Sequence, residues 1–172
     1  MRTLYESEII AATKATPVSA DLIEALVLTE SAGDTWAYNP EPKYRYFWDV
    51  KQGRPFRALT EAEIDRKTPP ADFPTLAGDR DQEWWAQQAS WGLCQIMGAV
   101  AREHGFIGKY LPALCDPAVN LALAVKHLSG LLKWSEGNEA QALAAYNGGK
   151  GGNSQLPYRN ASYAAKVLSR LA

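Results

Sequence analysis

Cysteine, histidine and methionine are scarce in this chain, with two of each among 172 residues. Two cysteines close at most one bridge, which rules out a disulfide framework. Cys94 and Cys115 each sit in an apolar setting. A free thiol there behaves as a small hydrophobe, so both are expected to be buried and unpaired. His104 and His127 fall on separate helical patterns with no Cys or His cluster nearby. No metal site is therefore expected, and nothing calls for a cofactor. Charge of one sign is lacking too: 18 Lys and Arg against 19 Asp and Glu leave a net charge of −1. That balance excludes a whole-chain electrostatic grip on nucleic acid. No apolar run is long enough to span a bilayer. The opening residues, Met1 to Glu6, lack the apolar stretch of a secretory leader.

What remains is an ordinary globular composition, 47% hydrophobic and 22% charged. The length predicts one domain over residues 1–172, with a sizeable core, as a monomer. Six Trp and eight Tyr are many for this length. Such rings fill cores, and their faces also stack on sugars. From Asn147 onward Lys150, Arg159, Lys166 and Arg170 meet no acidic residue. This patch reads either as a solvated helix face or as a surface for an anionic polymer.

Helical patterns dominate. Thr3-x-x-Glu6 reads as a capping box opening a helix that runs to about Thr13. A second helix spans Ser19 or Ala20 to Ser31, with Leu22, Leu26 and Glu30 at i, i+4 spacing on one face. Further helices are expected over Leu93–His104, from Asp116-Pro117 to about Trp134, over Glu139–Tyr146, and from Asn160 or Ser162 to Leu171. The stretch 40–88 differs, holding six of the ten prolines. There Tyr44–Val50 resembles a short strand, Thr60–Glu63 the cap of a short helix, and Asp81–Gln88 another turn or two of helix. The fold class is thus mainly α, with an irregular, partly β insertion at about 40–88.

Glu30 is the first candidate for chemistry. A carboxyl group at the inner end of an apolar stripe is costly to ionise, so its pKa rises and it can donate a proton near neutrality. The competing reading is an ordinary exposed Glu at a helix end. Two later segments add polar groups at turns. In Ser90-Trp91-Gly92-Leu93-Cys94-Gln95-Ile96-Met97, Gly92 permits a tight turn while Ser90 and Gln95 bring hydrogen-bonding groups. In Ala144-Ala145-Tyr146-Asn147-Gly148-Gly149, Tyr146 and Asn147 stand where a helix stops. Tyr163 and Lys166 lie one turn apart on the last helix.

Taken in order, Glu30-Ser31, Gly92-Leu93-Cys94-Gln95-Ile96-Met97 and Ala144-Ala145-Tyr146-Asn147-Gly148-Gly149 resemble the three motifs of the soluble lytic transglycosylase family. Asp116-Pro117-x-x-Asn120 and Arg159-Asn160-x-x-Tyr163-x-x-Lys166 resemble that family's central and closing helices. The resemblance covers residues 20–39 and 89–170. It implies a lysozyme-like fold and cleavage of the MurNAc–GlcNAc bond of peptidoglycan with formation of a 1,6-anhydro end. It further implies Glu30 as the single acid/base, Tyr146 as a second catalytic residue, and Ser31, Ser90, Gln95, Met97, Asn147 and Tyr163 as substrate-binding residues. Cys94 replaces the family's usual Met, a change that packing tolerates. The stretch 40–88 is longer than the family's usual link, and its size and aromatics resemble those of phage-encoded members. A role as a phage lysis enzyme or virion-associated enzyme, made in the cytoplasm and acting on the wall, is the matching expectation, with peptidoglycan strands as the partner.

Three alternatives stand beside it. A goose-type-lysozyme-like hydrolase would need a second carboxylate, for which Asp34, Asp49, Asp79, Asp81 and Glu83 are available. A chitin-directed enzyme would use the same N-acetyl group. A non-catalytic wall-binding or virion structural protein would keep the fold alone.

Overall fold

The computed structural model describes residues 4–64, 67–76 and 78–171. Helix α1 spans Glu6–Thr13; Thr3, the expected cap, lies outside the described residues. Helix α2 spans Ala20–Glu30 because Ser19 caps it, its side chain accepting the Leu22 N–H at 3.1 Å. Leu22, Ile23, Ala25, Leu26 and Val27 are its buried face.

The chain then forms strand β1 (Tyr38–Pro40), a two-residue ladder of β2 (Trp48–Asp49) and β3 (Arg54–Pro55), and helices α3 (Glu61–Ile64) and α4 (Arg80–Gln87). Strand β4 (Ala89–Trp91) returns beside β1, and β5 (Ile96–Met97) completes a three-stranded antiparallel sheet of order β1-β4-β5. Helix α5 (Gly98–Glu103) and a 3₁₀ turn (Leu111–Cys115) lead to α6 (Pro117–Trp134), the longest helix. Asp116 caps α6 through the Val119 N–H at 3.0 Å, and Pro117 occupies its first turn. Helices α7 (Glu139–Gly148) and α8 (Ala161–Leu168) follow. Helix α6 packs against α1 and α7, and α8 against α7 and α2. The main core forms among them, with Leu26, Leu93, Leu121, Leu128 and Leu143 fully buried.

The architecture is the mainly helical one expected, and both cysteines are buried and free. Three local expectations change. Residues 93–95 are a turn, not a helix start, and helix begins only at Gly98. Gly92 and Gln95 both have positive φ, +67° and 48°, which breaks a right-handed helix. The strand expected over 44–50 pairs only at Trp48–Asp49, since the Asp49 carboxylate turns the chain by accepting the Lys51 and Gln52 N–H groups at 2.9 Å each. The last helix stops at Leu168.

The insertion carries its own small aromatic core. Phe47 stacks on Trp84 at 4.1 Å, and Phe73 meets both edge-on. It is fastened to the body by a buried polar chain. The Gln87 amide holds the Trp48 N–H and carbonyl at 2.9 and 3.1 Å, and also donates to Glu83 at 2.9 Å. Glu83 forms a two-point ion pair with Arg102 of α5, both contacts 2.8 Å. Arg102 also donates to the Phe106 and Gly108 carbonyls at 2.8 Å each.

Candidate active site

Helix α2 delivers Glu30 at its last residue, where the backbone leaves the core. The Tyr163 hydroxyl, one turn into α8, donates to the Glu30 carboxylate. Burial pushes the Glu30 pKa up, while the Tyr163 hydrogen bond and the nearby Lys166 cation pull it partly back. Burial likewise pushes up the Tyr163 and Tyr146 phenols and the Cys94 thiol, and the Glu30 charge adds to all three. Glu30, Cys94, Tyr146 and Tyr163 therefore form one electrostatically linked cluster. Its three other members stay neutral near neutral pH.

Beside Glu30 lies the 92–95 turn, which is built by hydrogen bonds from distant residues. Asn120 on α6 is fully buried and spends its whole amide here. Its Oδ1 accepts the Cys94 N–H at 2.8 Å, and its Nδ2 donates to the Trp91 and Leu114 carbonyls at 2.8 and 2.9 Å. A Cβ at Gly92 would stand 2.6 Å from Asn120 Nδ2 and 2.8 Å from the Leu114 carbonyl, so only glycine fits. The Ser31 hydroxyl donates to the Leu93 carbonyl at 2.8 Å, and Tyr146 donates to the Cys94 carbonyl at the same distance. Gln95 Nε2 donates to the Ala37 and Gly92 carbonyls at 3.1 and 2.9 Å, while its Oε1 accepts from Ser90 at 2.8 Å.

The structure thus gathers Glu30, Ser31, Gln95, Tyr146 and Tyr163 around one turn. It also divides their labour. The donors of Ser31, Ser90, Gln95 and Tyr146 are directed at the protein's own carbonyl and amide oxygens. Met97 is half-buried on β5. Asn147 is exposed at the end of α7, its Oδ1 accepting from Asn160 Nδ2 at 2.7 Å. Asn160 approaches so closely that a Cβ at Gly148 would stand 2.1 Å from its Oδ1. That explains a glycine within α7.

Two neighbours were not among the expected site residues, although Asn120 lies in the Asp116-Pro117-x-x-Asn120 segment of the resemblance. Asn120 is a polar residue in an apolar helix stripe, a signal that was visible. His127 packs its ring 5.3 Å from that of Tyr146 and shares a 2.9 Å contact with His104. Burial, helped by His104 and Lys150, pushes the His127 pKa down to about 3, so it is neutral beside the cluster. Among the described residues no group of three His, Cys, Asp or Glu side chains could hold a metal ion. Also among them, no helix is long and apolar enough to cross a membrane.

The same chain path occurs in solved structures. The 70 kDa soluble lytic transglycosylase of Escherichia coli superposes with a TM-score of 0.63 at 17% identity over 97% of this chain. An inactive mutant of the lytic transglycosylase Slt from Pseudomonas aeruginosa gives 0.60 at 18% over 98%. This chain spans only 23% of either protein's length. No curated protein sequence matches it. The transglycosylase SLT domain model matches residues 7–169, nearly the whole length, so the chain belongs to the transglycosylase SLT domain family.

Proposed function

We propose that the protein is a peptidoglycan lytic transglycosylase that cuts the MurNAc–GlcNAc bond using Glu30 as both acid and base. One observation carries the reading: Glu30 is a half-buried carboxyl group with a raised pKa whose hydrogen-bond partner is a tyrosine, not a second acid. A protonated Glu30 donates to the glycosidic oxygen as the bond to C1 breaks. The N-acetyl group of the same sugar stabilises C1. The Glu30 carboxylate then takes the proton of the C6 hydroxyl, whose oxygen closes onto C1. The proton count balances, and neither water nor a cofactor is consumed. Tyr163 holds the carboxylate in place. Tyr146 and Ser31 anchor the turn against which the sugar lies, and the half-buried Met97 and exposed Asn147 contribute sugar contacts. The whole chain acts as one such domain, with the 40–88 insertion as part of the binding face. Delivery to the wall by a phage, in lysis or on the virion, is part of the same proposal.

The hydrolase alternative requires a free carboxylate opposite Glu30. Asp34, Asp49 and Asp79 are engaged as turn and helix caps, accepting the N–H groups of Trp36 at 2.8 Å, Lys51 and Gln52 at 2.9 Å, and Asp81 at 2.7 Å. Glu83 is buried in its ion pair with Arg102. Asp81 is an exposed first-turn residue of α4. Their engagement favours transglycosylation. Digestion of purified peptidoglycan followed by mass spectrometry tests the reading. Product ends one water lighter than reducing ends support it. Reducing ends would replace it with hydrolysis, and an intact polymer would leave only a binding protein.

A further inference from the structure

The β1-β4-β5 sheet sorts its side chains into two rows, because residues paired across antiparallel strands face the same side. Tyr38, Trp91 and Ile96 form one row by register. Ile96 belongs to the main core and Trp91 packs against it, its indole N–H donating to the Ala86 carbonyl at 3.0 Å. Trp91 and Ile96 of this row face inward, while the exposed Tyr38 covers Trp91 at the sheet edge, their rings 4.7 Å apart. Asn39, Ser90 and Met97 form the row on the opposite face, with Asn39 exposed, Met97 half-buried and Ser90 buried. One of its members, Met97, is a glycan contact under the function proposed above, and Ser90 is spent on Gln95. The third, Asn39, lies two strand spacings from Met97, about 10 Å.

Asn39 has a companion. Glu41 continues the pairing past β1, its N–H donating to the Gln88 carbonyl at 2.8 Å. Alternation places it on the side of Asn39, and Asn39 Nδ2 donates to its Oε1 at 2.6 Å. Both residues are exposed. Nearer Glu30 the polar groups are spent internally, Ser90 on Gln95 and Gln95 on two main-chain carbonyls. Hydrogen-bonding capacity on the outer row therefore resides in Asn39 and Glu41. A carboxylate held by an amide accepts hydroxyl protons, and the remaining amide groups suit an acetamide.

We propose that Asn39 and Glu41 form a glycan-binding subsite that holds an N-acetylated sugar along the sheet, one or more rings away from the bond cut at Glu30. This rests on the glycan-cleaving reading of the site, and it gives the insertion a role at its first residues. Binding is measured in the silent Glu30→Gln background by retention on purified sacculi, and turnover in the otherwise unaltered enzyme. Asn39→Ala and Glu41→Ala are expected to weaken retention about fivefold to tenfold. The loss in turnover falls on KM more than on kcat, product ends are unchanged, and Tm stays that of the parent. Glu41→Gln, which keeps an acceptor, recovers part of the retention. Unaltered retention and KM in both alanine variants overturn the subsite whether or not the enzyme cleaves. Asn39-dependent retention by a protein that cleaves nothing overturns the enzyme reading and leaves the subsite standing.

Discussion

The hydroxyl of Tyr163 donates to the carboxylate of Glu30, joining the end of α2 to the face of α8 across 133 residues of sequence. This one bond sets both the direction in which the carboxylate points and part of its acidity. Burial raises the Glu30 pKa, and the phenol and Lys166 lower it.

Replacing the carboxyl group should trade activity for stability. Glu30→Gln removes the titrating proton and keeps the shape, so glycan cleavage is expected to fall by about 10²–10⁴-fold. A carboxylate whose folded pKa exceeds its unfolded value binds more protons in the native state. Its stabilising contribution is full below the unfolded pKa and is lost as pH rises through the folded one. The variant should therefore melt above the parent at neutral pH. The gain should vanish as pH falls to the ordinary carboxylate range. Paired melting curves from acid to neutral pH measure it.

Tyr163→Phe removes the hydrogen bond that favours the ionised form of Glu30. The Glu30 pKa then rises further. The alkaline limb of the pH–rate profile, where the general acid is lost, should shift to higher pH. A profile that keeps the parent limb would show that Tyr163 does not tune this acid.

Asn120→Ala leaves the Cys94 N–H and the Trp91 and Leu114 carbonyls without their buried partner. The cost is about 3 kcal/mol, which for a chain of this size lowers Tm by about 10 °C. Gly92→Ala attacks the same contact from the other side, forcing a methyl against Asn120 at a positive φ. Because the two residues touch, the double variant should lose less than the sum of the singles.

Arg102→Met strands the Glu83 carboxylate in the interior and frees two main-chain carbonyls. A destabilisation of about 3–5 kcal/mol is expected in denaturant titration. Changing Glu83→Leu as well should recover much of it, since a buried pair replaced by apolar side chains is often nearly neutral.

Much of this was legible locally. Ser19 and Asp116 announce α2 and α6 because a cap bonds its own helix within three residues. The apolar stripe that ends at Glu30 is likewise a short-range pattern. The 92–95 turn was legible at Gly92 but not in its continuation to Gln95. Leu93, Cys94 and Ile96 mimic the start of a helical stripe, while the force that bends the chain there comes from Asn120, 26 residues past Cys94. The pairing of Tyr38 with Trp91 is hidden for the same reason, since the partners stand far apart in sequence. The motif residues can be named from the sequence, but not the partners each one bonds. A side chain's hydrogen-bond partners are set by tertiary contacts, so the motif does not reveal that Ser31 and Gln95 also donate to the Leu93 and Ala37 carbonyls.

The zipped neck of the insertion has a consequence for design. Asn39 pairs with Ser90 and Pro40 with Ala89, and Glu41 bonds the Gln88 carbonyl beyond them. The described residues from 50 to 79 lie beyond this stem and before α4, which the Glu83–Arg102 ion pair and Ala86 in the main core hold to the body. Closing a longer excursion costs only about 0.6 kcal/mol per doubling of length. The segment between β2 and α4 is therefore the part open to exchange. Shortened there, with α4 and its Glu83–Arg102 pair kept, the stem should keep its register and present the turn beside Glu30 unchanged. Grafted with other sequences, the same stem becomes a site for re-targeting the domain.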